Sequence, residues 1–497
     1  MNLKNIKENL WQEKGFIMPK FNIEEIKGNT EKNPTWVHFG VGNIFRAFPA
    51  VAIQNLLNEK AVNTGIIGIG RSFESFDNLT IYVELKSNGE MEKTVVGSVT
   101  HTLTKEEDEA KINEVFLKSS LQLVTLTITE KGYLDINDKD STLVFLCKLI
   151  YERFKEDKPY MAIVSLDNLP NNGDYLKNIL ISLSKKYRDE DFTSYVKKQS
   201  YPITMIDKIT PAPSPLVSEK LKGLGVEETE IKIEGHGTVV SSFVNAEEVG
   251  YLIIEDKFPN GRPPLELDEK NGIIFTDRQT VEKFEKMKVG ALLNPLHTII
   301  AIFGSLLSIE FVYEVMQNKN IVNLIKYHGY EEALPFVKDP KIIKPEDFLK
   351  EVLEKRFTNP FIPDQPSRIA TDTSLKVPIR FGEVLKTMQS NKKDLTTLKS
   401  IPFFIAGWFK YLTKINDKGE VLNLSKDPNL EELISIFENT KLGDEMPIDA
   451  ISLLKRSDIF GINALALAPK VKTYFDKMNK EVGSVSKTLN EYWGNEK

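Results

Sequence analysis

One cysteine, Cys147, stands in 497 residues, so neither a disulfide framework nor a multi-cysteine metal site can be built, and a reducing compartment fits. Histidine is nearly as scarce. There are five, scattered, none at a spacing that suits a metal. Charge of one sign is not concentrated anywhere: the net charge of −6 comes from interleaved acidic and basic residues, which leaves no electrostatic footprint for nucleic acid or an anionic membrane. A small-molecule partner is expected instead. Long uninterrupted apolar runs are also missing. The most apolar stretch, VGALLNPLHTIIAIFGSLL, is broken by Asn294, Pro295 and His297 and reads as a buried core helix rather than a membrane span. The opening residues, MNLKNIKENLWQEKGF, interleave charges with apolar residues, unlike a secretory signal or transit peptide, and a cytoplasmic location is expected.

What is present is enough for a large core, with 41% hydrophobic residues over a length that suits two or three domains. In the first half, apolar runs of strand length alternate with helical periodicity. Trp36 to Phe39 precedes Ala50, Ile53, Leu56 and Leu57; GIIGIG at 65–70 follows, then LQLVTLTIT at 121–129. YMAIVSL at 160–166 then precedes Leu176, Ile179, Leu180 and Leu183, which share one helical face. Such alternation predicts an α/β domain with a mostly parallel sheet covered on both faces, assigned to 1–285. From 286 to 497 the periodicity is mainly helical, with Phe348, Val352 and Leu353 behind Pro345, and Leu430, Leu433, Ile434 and Phe437 behind an Asp427-Pro428 N-cap.

The strand WVHF runs into Gly40-Val41-Gly42-Asn43-Ile44-Phe45. A strand feeding G-x-G and then a helix offers backbone N–H groups and a positive helix end to a pyrophosphate, but the third glycine of the full fingerprint is missing, so a plain tight turn is the competing reading. After the second strand, where an acidic residue would take a ribose hydroxyl, the chain has Arg71 and Ser72. These suit a 2′-phosphate, so NAD and NADP both stay open, with a solvated loop arginine as the competing reading of Arg71.

Polar residues cluster just beyond strand ends, where ligands bind in open α/β sheets. TITEKGY carries Glu130, and SLDNLPNNG carries Asp167 and Asn168, each also compatible with turn chemistry. Further on, Asn294 and His297 are three apart and share a helix face, with Lys286 and Lys288 upstream. In SRIATDTSLKVP, Arg368 and Lys376 would lie within about 80° of each other on a continuous helix, where two cations can hold a carboxylate or several hydroxyls, two solvated basic residues being the commoner, competing reading.

Taken in order, HFGVGNIFRAF, TLTITEKGY, SLDNLPNNG, MIDKITPAPSP, IEDKFPNGRPPLE, LLNPLHT and TDTSLKVP resemble the zinc-independent long-chain polyol dehydrogenases, a family that includes mannitol 2-dehydrogenase, fructuronate reductase and tagaturonate reductase. The resemblance covers about 35–380 and implies an N-terminal Rossmann-type doubly wound sheet, a mainly helical C-terminal substrate domain, and chemistry without a metal. It implies NAD or NADP at Gly40, Gly42, Phe45, Arg46 and Arg71. Asn168 and Asn294 would be the amides that polarise the substrate oxygen, and His297 would orient that oxygen or a neighbouring hydroxyl. Arg368 and Lys376 match the family's substrate cations, Asp207 its substrate-side aspartate, and Glu130 a glutamate associated with proton passage to solvent.

The family's acid/base is a lysine five positions before the asparagine, which must be tuned toward neutrality to serve. Lys288 stands six before Asn294, so a bulge near Gly290 has to absorb one residue; without it Lys286, eight before, competes. Lys288 is preferred because it follows Met287. Phe48 stands where a histidine is common, Pro295-Leu296 replace Gly-Ser, and Lys208 replaces an arginine. The expected reaction is reduction of a ketose sugar acid to an aldonate, first fructuronate to mannonate, then mannitol or another polyol, then tagaturonate. A sugar-acid epimerase is the reading from a different class. A monomer or small homo-oligomer is expected.

Overall fold

Five short, fully or largely buried runs organise the first part of the chain: β1 (Trp36–Phe39), β2 (Ile66–Ile69), β3 (Val99–Leu103), β4 (Leu123–Leu126) and β5 (Ala162–Ser165). The computed structural model describes every residue except 4, 5, 7, 71–77, 135, 137, 139, 234–238, 496 and 497. The strands pair in parallel in the order β3-β2-β1-β4-β5, the doubly wound arrangement expected from alternating strands and helices. Side chains alternate between two cores. Trp36 and Ile66 enter one with Phe45, Ile53 and Leu56, while Val37, Phe39, Ile67 and Ile69 enter the other with Phe116, Leu146 and Leu180. Helices α1 (Asn43–Ala47) and α2 (Pro49–Asn58) follow β1, α3 (Thr142–Lys155) leads into β5, and α4 (Asn172–Ser184) leaves it.

Beside a short antiparallel pair of Lys232–Ile233 with Val239–Val240, two larger further sheets go beyond the sequence reading. Phe16–Ile17, Met91–Val96, Thr80–Leu85 and Phe243–Glu247 form one, and Ile273–Thr276, Tyr251–Glu255 and Thr204–Asp207 the other. Together with the parallel sheet they belong to a compact unit, Met1–Val281; Glu282–Lys497 is a second, mainly helical unit.

The helical unit is built around two apolar helices. A run from α5 (Arg278–Met287) passes through a π-helical turn at Lys288–Leu292 into α6 (Asn294–Leu306). By length and composition Arg278–Leu306 can cross a membrane, yet 83% of its most apolar stretch is buried in the fold, as for a core helix. Later come α7 (Pro366–Ile369), α8 (Thr373–Arg380) and α9 (Ser400–Leu412), all thirteen of whose residues are buried. Phe303 of α6 stacks on Phe403 of α9 at 5.5 Å, and a Cβ at Gly407 would lie 2.5 Å from the Phe303 ring, so the close crossing requires glycine there.

Asp427 does not cap the helix expected behind it. That helix, Leu430–Phe437, has Asn429 at its N-cap. The Asp427 carboxylate accepts from Asn429 N at 2.9 Å just before that helix and also from Ser374 N at 2.7 Å and Ser374 Oγ at 2.6 Å, serving the first turn of α8, because an anion is favoured at those unsatisfied N–H groups.

Lys410 is 1% exposed within α9, and its ammonium donates to Asn479 Oδ1 at 2.9 Å. Burial pushes it down from 10.5 to about 8. The folded chain therefore releases this proton earlier than the unfolded chain, and between pH 8 and 10.5 this group makes stability rise with pH. Lys410→Met is expected to remove a rise on the order of 3 kcal/mol across that range, the shift converted at about 1.4 kcal/mol per unit. Urea midpoints of the two proteins at pH 7.5 and pH 10 check this. Parallel pH dependences would show that the buried ammonium is not the cause.

Candidate active site

In the first unit β1 ends at Phe39 and the chain reverses on Gly40, whose φ is +98°. A Cβ there would stand 2.1 Å from the Thr127 carbonyl oxygen, so only glycine allows the turn to lie against the exit of β4. The turn is pinned: Gly40 N donates to Ile69 O at 3.0 Å, Gly42 N to Gly40 O at 2.9 Å, and Thr127 Oγ1 to Gly40 O at 2.8 Å. His38 braces it from below, with Nε2 3.0 Å from Gly40 O and the ring stacked on Phe45 at 4.0 Å. Burial pushes His38 down to about 3, so it stays a neutral strut. His38 was not singled out in the sequence, where a histidine inside WVHF looks like any core residue.

Beyond this turn lies a cavity of about 320 Å³ lined by Phe39 and Gly40, Ile69 and Gly70, Thr104 and Lys105, and Thr127 and Ile128. These residues follow or end four neighbouring strands, β1 to β4, which is where a doubly wound sheet takes a dinucleotide. Bare backbone at Gly40 and Gly70 and apolar walls from Ile69, Ile128 and Phe145 fit a phosphate-linked planar ligand.

Phe45 and Arg46 were expected at the cofactor, and their side chains are built into the domain instead. Phe45 is 0% exposed. Arg46 is 2% exposed and donates to Ser241 O at 2.7 Å, Asn43 Oδ1 at 3.2 Å and Thr80 Oγ1 at 3.3 Å; burial pushes it down to about 9. α1 is five residues long, Phe48 alone separates it from α2, and Phe45, Arg46 and Ala47 at its end are all buried. Arg71 lies outside the described residues.

Asp167 ties the exits of β4 and β5 together. It accepts from Ile128 N at 3.1 Å, Thr129 N at 3.0 Å and Tyr133 Oη at 2.7 Å, and burial raises its carboxyl above the ordinary value. Glu130 and Asn168, both exposed, are carried on the two segments it joins. Asn172 is structural: 1% exposed, it donates to Ser165 O and Thr204 Oγ1 and accepts from Thr204 N, coupling β5 to the strand that ends in Asp207. Asp207 is 5% exposed and pairs in register with Tyr251. The departures at Phe48 and Lys208 turn out to be neighbours, with Lys208 Nζ 5.4 Å from the centre of the Phe48 ring.

In the helical unit the extra residue between Lys288 and Asn294 is taken up by the π turn, where Leu293 N bonds to Lys288 O at 3.1 Å, five residues back. A new helix then begins at Asn294. Pro295 therefore occupies a first-turn position whose N–H would have no helical partner in any case, which explains how proline is accommodated. Lys288 is 7% exposed and Lys286 is exposed. Glu285, one turn before Lys288, has its carboxyl raised by burial.

Arg368 and Lys376 do not lie on one helix. The chain breaks at Asp372, whose φ is 55°, so α7 and α8 are separate and the angle expected for a continuous helix does not apply. Lys376 Nζ closes the break by donating to Ile369 O at 3.0 Å and to Thr371 O. Burial, then the charge of Arg380 and, more weakly, of Arg368, hold its ammonium below the ordinary value.

Two residues of this cluster were not identified from sequence. Arg380 donates to Asn294 O at 3.3 Å and Thr298 Oγ1 at 2.6 Å, and burial pushes it down to about 10. Asp364 stands 3.3 Å from His297 Nε2 and 2.8 Å from Arg368 Nε. Its i, i+4 spacing to Arg368 was the signal available.

Residues 34–267 match the model of the mannitol dehydrogenase Rossmann domain, and residues 280–478 that of the mannitol dehydrogenase C-terminal domain. A D-mannonate oxidoreductase of Thermotoga maritima is 40% identical over 100% of this chain and 99% of its own length. Among solved structures, a substrate-free D-sorbitol dehydrogenase aligns at TM-score 0.77 with 22% identity over 95% of this chain and 97% of that one. A Pseudomonas fluorescens mannitol 2-dehydrogenase in ternary complex with NAD and D-mannitol aligns at TM-score 0.70 with 24% identity over 99% of both. Sheet order, helical unit and full-length similarity agree, and the chain belongs to the mannitol dehydrogenase family of oxidoreductases.

Proposed function

We propose that the chain interconverts a ketose sugar acid and its aldonate with NAD or NADP, in the reducing direction fructuronate to mannonate. The observation that carries this is the set of cations in this part of the helical unit, Arg368 on Asp364 beside His297, Arg380 on the Asn294 carbonyl, and Lys376 at the break between α7 and α8, which suits a substrate bearing a carboxylate. The full-length relative named D-mannonate oxidoreductase supports the same substrate class. Gly40, Gly42 and the cavity beyond them would hold the dinucleotide, which when bound supplies or accepts the hydride. Lys288 gives a proton to the substrate oxygen in reduction and takes it back in oxidation. Asn294 donates its amide N–H to the same oxygen, its backbone held by Arg380, and Asn168 is assigned the second amide. Asp207 binds a substrate hydroxyl, and Glu130 exchanges protons with solvent.

Purified protein with NADH or NADPH is expected to oxidise the cofactor with fructuronate at a kcat/KM at least about tenfold above that with tagaturonate or fructose, the discrimination one misfit polar contact supplies. Absorbance of the reduced nicotinamide follows it. A preference for fructose would move the assignment to a polyol dehydrogenase, and no oxidation with any of the three would favour the epimerase.

A further inference from the structure

Asp364 sits where two of the proposed substrate residues meet. Its side chain is 8% exposed, its Oδ2 is 3.3 Å from His297 Nε2, and its Oδ1 accepts from Arg368 Nε at 2.8 Å and from a second nitrogen of the same guanidinium. The backbone around it is fixed as well, since Asp364 N donates to Ile362 O at 2.8 Å and Val312 N donates to Asp364 O at 2.9 Å. His297 is held from its own side by the first turn of α6 and by Phe357, whose ring centre is 5.1 Å away.

Proton inventory decides what this contact does. A carboxylate only accepts, and a neutral imidazole has one N–H and one lone pair, so the nitrogen facing the carboxylate must carry the hydrogen. Burial, reinforced by Arg380 and Arg368, keeps His297 below its ordinary value despite Asp364, so the ring is neutral near pH 8. Burial works to raise the Asp364 carboxyl, but His297 and Arg368 together hold it below the ordinary range, so it stays an acceptor. Among the described residues, Asp364 is the polar side chain that His297 Nε2 meets, and Nδ1 makes no side-chain hydrogen bond.

We propose that Asp364 is a positioning residue that fixes His297 as the Nε2–H tautomer, leaving Nδ1 as an acceptor that reads a substrate hydroxyl and does not donate to the carbonyl oxygen. The reading of Nδ1 rests on the proposed function, in which His297 faces the substrate. The carbonyl oxygen is then left to the lysine and amide donors, while the imidazole selects substrates with a hydroxyl beside the reacting carbon. Because the same carboxylate aims the Arg368 fork, the group that reads the hydroxyl and a group that reads the anion are set by one side chain.

Protein labelled with ¹⁵N-histidine gives five imidazoles, and His297→Gln identifies the one in question. Long-range ¹H–¹⁵N spectra at pH 8 are expected to show His297 protonated at Nε2. In Asp364→Asn the amide oxygen goes to Arg368 and the NH₂ turns to His297, so the tautomer reverses to Nδ1–H. A wild-type Nδ1–H tautomer, or no change in the variant, overturns the proposal, and this readout needs no substrate. In kinetics, Asp364→Asn is expected to lower kcat/KM for the ketose acid by about 50-fold but for its analogue lacking the adjacent hydroxyl by less than about threefold, since a site built for a hydroxyl rejects the analogue already. Equal losses on both substrates would mean that Asp364 is only structural and would overturn it. Turnover of neither substrate by the wild type would strike the proposed reaction and the hydroxyl-reading role, with the tautomer assignment still decided by the spectra.

Discussion

Lys288→Ala is expected to lower kcat by about 10³-fold at saturating cofactor and substrate, while Lys286→Ala stays within about twofold, the first being the usual cost of removing a positioned general acid. Counting along the sequence left both lysines open because Lys288 stands six positions before Asn294, one more than the family resemblance implies. The backbone resolves the geometry: the π turn at Lys288–Leu292 inserts one residue without ending the helical run, and Lys288 comes out 7% exposed while Lys286 is exposed. An acid/base must meet the substrate oxygen in a place from which bulk water is kept, since a solvated ammonium is not held in a fixed orientation. The alanine variant keeps the hydride donor and the amide contacts, so substrate affinity should fall much less than kcat. Steady-state kinetics of both variants with the reduced cofactor checks this, and a small exogenous amine should restore part of the Lys288→Ala activity. The assignment fails if Lys286→Ala is the inactive protein.

Much of the fold is local in origin and could be read locally. Four strands of the parallel sheet are short apolar runs between helical stretches, and their faces sort by the two-residue period. β3 escaped because Val99-Thr100-His101-Thr102-Leu103 is polar at its centre, where His101 reaches Glu31 at 2.8 Å. The mixed sheet escaped for another reason: Phe243–Glu247 pairs with Thr80–Leu85 across more than half of the first unit, and no local pattern announces such a partner. The site divides the same way. Gly40, Lys288, Asn294 and His297 carry a motif with a physical reason at each position. Asp364 and Arg380 matter only through what the fold brings beside them, a histidine from α6 and the carbonyl of Asn294. The continuous helix considered for Arg368 and Lys376 failed on a single residue, Asp372, which of the residues in TDTSL is the type that most readily turns left-handed; periodicity and spacing do not register that preference.

Gly40→Ala is expected to cost the first unit about 3–5 kcal/mol and to abolish measurable dinucleotide binding, whereas Gly42→Ala should change stability by less than about 0.5 kcal/mol while weakening binding about tenfold or more. The two glycines look alike in the motif and differ in their surroundings. At Gly40, with φ at +98°, an added Cβ meets Thr127 O at 2.1 Å and Thr127 C and Oγ1 at 2.9 Å. A left-handed conformation alone costs an ordinary residue roughly 1–2 kcal/mol. The clash cannot be relieved cheaply, because β1 is locked in register to β4 through Phe39 and Leu126, and the Gly40 carbonyl is held by Thr127 and His38. At Gly42 the backbone is extended, φ −88° and ψ −172°, and no atom lies within 4 Å of a built Cβ. Alanine fits there in the free protein and intrudes only if a phosphate comes against the backbone. Urea midpoints and titration of NADH fluorescence on both variants separate fold from binding. Should Gly42→Ala bind the dinucleotide as tightly as the wild type, the turn would be a tight loop and no more, and the cofactor would have to be held from the cavity walls around Thr104, Ile128 and Phe145.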